Sequence, residues 1–214
     1  MTPFLLILSS PSGAGKTTIA RALLAARDDV GYSISATTRP PRPGEKDGVD
    51  YYFVTEDEFR RKRDAGEFLE WAEYSGYLYG TLRSEVDRVL ASGKHVVLDI
   101  DVQGARAIRE RRDDVVSIFI LPPSVEELLA RLGGRGGNPP ADLERRLRRA
   151  VEEVECAAEY DYIIVNADRT QAVAEVAAIL EAEGRKTSRQ ADLLAGLGRF
   201  QRELIQAADR LSGK

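Results

Sequence analysis

Short, continuously apolar runs alternate along this chain with longer stretches of helical period. Residues 3–9, PFLLILS, form the first run. A run of that length reads as a strand covered on both faces, as in a parallel sheet. Runs of the same kind recur as HVVLDID at 95–101, VVSIFIL at 115–121 and YDYIIVN at 160–166. Helical stretches lie between them. The first, over 17–27, places Ile19, Leu23 and Ala26 on one side. The alternation predicts an α/β fold, a parallel sheet flanked by helices in doubly wound order.

Two stretches interrupt the alternation. One runs from 33 to about 90 and opens SISATTRPPRPGEKDGVDYYFV. Pro40, Pro41, Pro43 and Gly44 forbid a regular helix there, and VDYYFV reads as strand. Thr55 and Glu58 form a capping box that opens a helix. This stretch is read as a small mixed sheet with a helix, with Phe68 and Trp71 in its core and the basic run RRKRD at 60–64 in solvent. The other interruption spans about 124–158. Ser124 and Glu127 make a second capping box, GGRGGNPP is a break, and a helix follows with Leu143, Leu147, Val151 and Val154 as its stripe. Cys156 is expected to pack on that helix, and His95 to sit in a loop before its strand. In the tail, Leu193, Leu197, Phe200, Leu204 and Leu211 recur at spacings of four, three, four and seven, an amphipathic helix that Gly196 and Gly198 weaken. That helix has two equal candidates for a partner, its own core or a second subunit.

Composition narrows the function. At 214 residues and 43% hydrophobic, the chain suits one domain with insertions. A net charge of −4 favours neither nucleic acid nor a membrane surface as partner. The first dozen residues carry no basic segment of the kind that opens a signal peptide, and no apolar run approaches the ~20 residues of a membrane span. One cysteine forbids an internal disulfide and fits a reducing cytosol. With one histidine besides, a zinc site or a histidine-based triad is not expected.

The candidate chemistry begins at LLILSSPSGAGKTTIA, residues 5–20. It follows the phosphate-loop pattern G-x-x-x-x-G-K-[ST], with Gly15, Lys16 and Thr17 in place and Ser10 at the first glycine position. Backbone N–H groups of such a loop converge on phosphate, and the helix N-terminus adds a favourable dipole. Lys16 is expected on the β- and γ-phosphates and Thr17 on Mg²⁺. VVLDID sets Asp99 and Asp101 at the C-terminal end of a strand, where open α/β sheets bind ligands. Asp99 is expected to act on Mg²⁺ and Asp101 to approach the acceptor. Arg39, Arg42 and Tyr51 suit a second, fixed phosphate. The 124–158 stretch holds Arg131, Arg135, Arg145, Arg146, Arg148 and Arg149, most of them expected in solvent.

These motifs resemble the guanylate kinases. SSPSGAGKTT, SISATTRPPRPGEKDGVDYYFV, GEFLEWAEYSGYLYGT, VVLDIDVQGA, FILPPS, RLGGRG and YDYIIVNAD recur in family order over about residues 4–185. The resemblance implies a P-loop kinase core (1–32, 84–123 and 159–185), a GMP-binding region (33–83), a lid (124–158) and a helical extension (186–214). It implies transfer of the γ-phosphate of ATP to GMP, with Mg²⁺ held by Thr17 and Asp99, in the cytoplasm, by a monomer or homodimer. ATP would meet Ser12, Gly13, Ala14, Gly15, Lys16, Thr17, Thr18, Arg135 and Asn166. Arg39, Arg42, Tyr51 and Tyr79 would hold the GMP phosphate, Ser35, Glu70 and Thr81 would read the base, and Glu45 and Asp101 belong to the same set. Lys16, Asp99, Arg135 and Arg146 would be catalytic. Guanine presents two adjacent donors, N1–H and the 2-amino group, beside an O6 acceptor, which a carboxylate and hydroxyls complement. Two other readings stand beside this one. A non-catalytic interaction module is disfavoured by Gly15, Lys16, Thr17 and the lid arginines, and a sugar-phosphate kinase by Ser35, Glu70 and Thr81.

Overall fold

The computed structural model describes residues 2–133 and 140–212. Its main sheet is parallel, with five strands in the order β2-β7-β1-β8-β9: β1 (Leu5–Ser9), β2 (Val30–Tyr32), β7 (His95–Asp99), β8 (Val115–Leu121) and β9 (Tyr162–Val165). All five residues of β1 are buried, because both faces of the sheet are covered. Phe4, Leu6 and Leu8 pack on one face with Ile19 and Leu23 of α1 (Lys16–Ala26) and Val176 and Leu180 of α7 (Arg169–Gly184). Leu5 and Ile7 pack on the other with Val86 and Val89 of α3 (Arg83–Ala91) and Ala105 and Ile108 of α4 (Val102–Arg109). Each large side chain so buried stabilises the fold by about 1.5–3 kcal/mol.

A second, mixed sheet has the order β4-β3-β6-β5: β3 (Ala36–Thr37), β4 (Tyr52–Phe53), β5 (Phe68–Tyr74) and β6 (Tyr77–Leu82). β5 and β6 form a hairpin through Ser75 and Gly76, both at positive φ, the twist a two-residue turn needs. Helix α2 (Glu56–Asp64) covers the sheet through Phe59, stacked on Phe68 at 4.4 Å. Thr55 caps it by accepting from the Glu58 N–H at 3.2 Å. Gly80 is required here, since a Cβ would stand 2.8 Å from the Phe68 ring. Helices α5 (Val125–Gly133) and α6 (Pro140–Glu155) form the third part. Ser124 caps α5 by accepting from the Glu127 N–H at 3.2 Å.

Several elements differ from expectation. The short edge strand β2 carries too little pattern to be read from sequence. VDYYFV contracts to the two residues of β4, because the Gly48 N–H donates to the Tyr51 carbonyl at 2.9 Å and turns the chain before the strand starts. His95 is not in a loop: it opens β7, is buried, and its Nδ1 accepts from the Phe4 N–H at 3.2 Å. Trp71 is not core. Alternation along β5 sends it to the face opposite Glu70 and Ala72, where it is 45% exposed and carries the Arg63 guanidinium at 5.3 Å. On α6 the seam against Leu128 and Leu132 is Leu143, Leu147 and Ala150, whereas Val151 and Val154 face solvent. Cys156 lies in a 3-10 turn just after α6, half-buried, with its Sγ donating to the Glu152 carbonyl at 3.5 Å. The tail forms α8 (Ala191–Leu211), none of whose residues is buried. No described helix is long and apolar enough to cross a membrane.

Candidate functional site

The loop after β1 leaves the sheet at its centre, between β7 and β8, at the strand ends where α/β sheets bind ligands. Gly13 and Gly15 both have φ of +98°, the left-handed region, so the loop coils without a Cβ in the way. Gly15 is also the residue before α1, and a Cβ there would lie 2.5 Å from the Asn166 Nδ2. Ser10 is buried, with its Oγ donating to the Pro11 carbonyl at 3.0 Å, so a small residue replaces the usual glycine without positive φ. Lys16 reaches across to β7: its Nζ lies 2.8 Å from Asp99 Oδ1 and donates to the Ile100 carbonyl at 2.8 Å. Burial alone would push the Lys16 ammonium down, but the Asp99 charge and hydrogen bond more than offset it, and its pKa stands above the ordinary value. Thr17 and Thr18, on the first turn of α1, are exposed.

Four side chains hold this loop from outside. Asn166 donates from Nδ2 to the Ala14 carbonyl at 2.7 Å. Arg131, expected in solvent, instead donates to the Ala14 carbonyl at 3.3 Å and the Asn166 carbonyl at 3.2 Å while paired with Glu127 at 2.9 Å. From α6, Arg146 donates to Ser12 Oγ at 3.0 Å. Glu153, seven residues on and so on the same helix face, accepts from the Ser12 N–H at 3.3 Å. Glu153 is 4% exposed, and burial raises its pKa. Sequence reasoning missed it, although the seven-residue spacing from Arg146 was available. Arg135 lies outside the described residues, as does most of the GGRGGNPP break.

The second sheet brings a further group to the same cleft. Glu70, on β5, is 6% exposed, and its Oε1 accepts from Thr81 Oγ1 at 2.6 Å and the Thr81 N–H at 3.1 Å. Burial pushes its carboxyl up to about 7, against the Thr81 bonds that favour the charged form. The Asp101 charge adds to the rise and the Lys16 charge opposes it, so the acid lies within the field of the phosphate loop. Gly104, in the first turn of α4, permits the approach: a Cβ there would stand 2.6 Å from Glu70 Oε2. Asp101 caps α4 by accepting from the Gly104 N–H at 2.9 Å. Arg149 of α6, also expected in solvent, lies 3.9 Å from Asp101 and 3.4 Å from Glu153, with its guanidinium 3.4 Å over the Tyr74 ring. It thereby spans the helical part, the second sheet and the core. Beneath α6 lies a cavity of about 690 Å³, lined in part by Val102, Gln103, Arg149 and Glu153, within the range of small-ligand sites.

Farther along the cleft, Arg39, Glu45, Tyr51 and Tyr79 meet. Arg39 is buried and donates from Nη2 to both Glu45 oxygens at 2.9 Å. Its guanidinium lies 5.5 Å from the Tyr51 ring, and the Tyr51 and Tyr79 rings are 6.0 Å apart. Burial raises the Tyr51 hydroxyl well above its usual value, so it stays a donor. Arg42 is exposed and joins the group only through its backbone N–H, which donates to Glu45 at 2.7 Å. Ser35 contributes its backbone carbonyl to Tyr52 across the β3–β4 junction at 2.9 Å.

Comparison with known proteins agrees with this architecture. The guanylate kinase family model matches residues 3–183. A guanylate kinase of Symbiobacterium thermophilum is 51% identical over 185 residues, covering 86% of this chain and 88% of its own length. One from Sphingopyxis alaskensis is 48% identical over 204 residues, 95% of this chain and 91% of its own. The crystal structure of guanylate kinase from Anaplasma phagocytophilum superposes with a TM-score of 0.78 at 39% identity, over 93% of this chain and 96% of that one. With most of its length matched at about half identity and its phosphate loop facing a buried acid across one cleft, the chain belongs to the guanylate kinase family.

Proposed function

We propose that this chain phosphorylates GMP with ATP as donor, giving GDP and ADP, and that Glu70 selects the base. The observation that supports this most is the buried Glu70 carboxylate, fixed by Thr81 and within the field of Lys16. Its free acceptor capacity complements the N1–H and 2-amino donors of guanine, while Thr81 holds the carboxylate in place and the Ser35 hydroxyl stands by for O6. Arg39, Arg42, Tyr51 and Tyr79, with Glu45 orienting Arg39, take the GMP phosphate. The loop from Ser12 to Thr18 cradles the ATP phosphates, with Lys16 moving from Asp99 to the transferring group. Asn166 and Arg131 brace the loop through the Ala14 carbonyl. A panel of nucleoside monophosphates in a coupled assay with ATP and Mg²⁺ tests the reading. GMP should exceed AMP, CMP and UMP by at least about 10³-fold in kcat/KM, and a preference for any other acceptor rejects it.

The residues fit Mg²⁺. Among the described residues no cluster of three acids, histidines or cysteines could hold a metal alone. Mg²⁺ keeps its waters and takes phosphate oxygens with one or two protein groups, a role the Thr17 hydroxyl and the Asp99 carboxylate suit. Bound there, it would neutralise charge on the β- and γ-phosphates. The functional parts follow as a core (1–32, 84–123, 159–185), a GMP-binding region (33–83) and a lid (124–158), with ATP and GMP as partners and the cytoplasm as compartment.

Because Glu153 occupies a loop N–H of the kind that binds phosphate, triphosphate entry must displace it and shift α6, carrying Arg146 and Arg149 with it. Arg146 then stabilises charge in the transition state, the role proposed for Arg135 as well. Arg146→Ala should lower kcat on the order of 10²-fold or more while the Kd for GMP, measured by titration, stays within a few-fold. A loss confined to KM would assign Arg146 to binding alone.

The Glu70 carboxyl makes GMP use pH-dependent. Below about pH 7 the free enzyme holds Glu70 protonated, and only the carboxylate accepts from both guanine donors. The kcat/KM for GMP should therefore rise with pH, its acid limb bending near 7, and Glu70→Gln should lack that limb. The same shift acts on stability. A carboxyl raised from 4.5 to about 7 favours the fold fully below 4.5, and that contribution is lost as pH rises through 7. Urea titrations at pH 5 and pH 8 should show the wild type losing on the order of 3 kcal/mol more than Glu70→Gln between them.

A further inference from the structure

Two side chains on one face of α6 reach different walls of the cleft. Glu153 accepts from the Ser12 N–H of the phosphate loop through Oε2 at 3.3 Å. Arg149, one turn earlier, lies with Nη2 3.9 Å from Asp101 Oδ2 and its guanidinium 3.4 Å over the Tyr74 ring. The two also face each other, Arg149 Nε standing 3.4 Å from Glu153 Oε1. Each anchor rests on a group that a substrate would use. The Ser12 N–H belongs to the loop amides that converge on phosphate. Asp101 Oδ1 is committed to the Gly104 N–H at 2.9 Å, so Oδ2, the oxygen Arg149 meets, is the one left for a ligand. Glu70 Oε2 stands against the same Gly104, where a Cβ would lie 2.6 Å from it. The two acids thus flank one glycine, and an acceptor held by Glu70 comes up against Asp101.

We propose that Arg149 and Glu153 are positioning residues that make donor and acceptor binding cooperative. This rests on the assignment of ATP to the phosphate loop and of GMP to Glu70. Four residues apart on one helix, the two side chains move as a unit. The donor phosphates take the Ser12 N–H and repel the Glu153 carboxylate. The acceptor takes Asp101 Oδ2 from Arg149. Either event frees α6 at one anchor, and the second substrate then has only the other anchor to break. Released together, Arg149 and Glu153 still pair with each other, so neither is left as an uncompensated charge, the state that makes breaking a buried ion pair costly. Tyr74 extends the acceptor-side anchor to the second sheet. The other contacts of α6 carry no coupling. Arg146 binds Ser12 on the donor side alone, and Leu143, Leu147 and Ala150 pack on α5, which belongs to the same helical part. Coupling of this kind is reciprocal: the factor by which the donor tightens GMP equals the factor by which GMP tightens the donor.

Calorimetric titration of GMP, with and without the β,γ-imido analogue of ATP and Mg²⁺, tests the coupling. In the wild type the analogue should lower the Kd for GMP by about 5-fold or more, and GMP should lower the Kd of the analogue by the same factor. Arg149→Leu removes the acceptor-side anchor, and the isosteric Glu153→Gln removes the charge that the donor repels. In each the factor should fall below about 2-fold, with circular dichroism unchanged. The free substrates report on the same contacts with a sign that a merely structural role would not give. GMP alone should bind Arg149→Leu more tightly than wild type, and the analogue alone should bind Glu153→Gln more tightly. Arg149→Lys keeps the charge and should keep most of the coupling. A wild-type factor near one, a factor in Arg149→Leu or Glu153→Gln equal to that of the wild type, or variants that bind these free substrates more weakly overturns the proposal. No binding of GMP to any of these proteins rejects the acceptor assignment itself, and the coupling with it.

Discussion

Lys16→Met is expected to lower kcat for GMP phosphorylation by on the order of 10³-fold or more. Phosphoryl transfer needs charge placed against the migrating group rather than a covalent catalyst, and removing one fixed donor from such a site costs about 10²–10³-fold. Lys16 belongs to the loop itself and is already aimed at the strand end by Asp99 and the Ile100 carbonyl at 2.8 Å each. Methionine keeps the length of the side chain and loses the charge. It leaves Asp99 without its ammonium, and unpairing a buried carboxylate costs stability. Asp99 borders the cleft, however, and can take up water there or bind a proton. The fold should therefore survive with a thermal midpoint a few degrees lower. Steady-state kinetics beside circular dichroism separates the two effects. A folded Lys16→Met enzyme with turnover near that of the wild type would remove the phosphate loop from the mechanism.

The main sheet was legible because its strands are buried on both faces, and a strand covered on both faces has no polar alternation to disguise it. PFLLILS, HVVLDID and VVSIFIL all became strands for that reason. The misreadings arose where a residue's surroundings come from distant chain. His95 looks like a loop histidine until β1 supplies the Phe4 N–H to its ring. Trp71 looks like core until the parity of β5, set by its pairing with β6, turns Glu70 inward instead. The lid arginines were hardest. Six lie within nineteen positions, and composition alone cannot separate Arg148, paired to Glu144 in solvent, from Arg131 and Arg149, which grip the loop and the cleft. Helical phase gives a partial key: Arg146, Arg149 and Glu153 share a face, and all three point at the site. The legible part of the site was the part with local sequence logic, the phosphate loop and the strand-end acids. Glu70 owes its character to Gly104 and Thr81, neither of them its neighbour in sequence.

Glu70→Gln should cost GMP about 10²- to 10⁴-fold in kcat/KM while the fold is retained. The substitution keeps size and shape but exchanges one carboxylate oxygen for an N–H donor. Thr81 already donates twice to Oε1, so the amide oxygen is held there and the new NH₂ takes the place of Oε2. It then faces the guanine donors, and a buried donor against a donor leaves both unpaired, the circumstance in which sites discriminate most strongly. IMP lacks the 2-amino group and should lose less than GMP. AMP presents an acceptor at N1 and should lose least, or gain. Arg42→Ala is the control: it should weaken all three acceptors alike, because the phosphate has no base identity. The order of losses, GMP above IMP above AMP in Glu70→Gln and equal in Arg42→Ala, follows from hydrogen-bond polarity alone. An equal loss for GMP and AMP in Glu70→Gln would mean that the buried carboxylate supports the cleft without reading the base. Guanine selection would then have to reside elsewhere, with the Ser35 hydroxyl the next candidate.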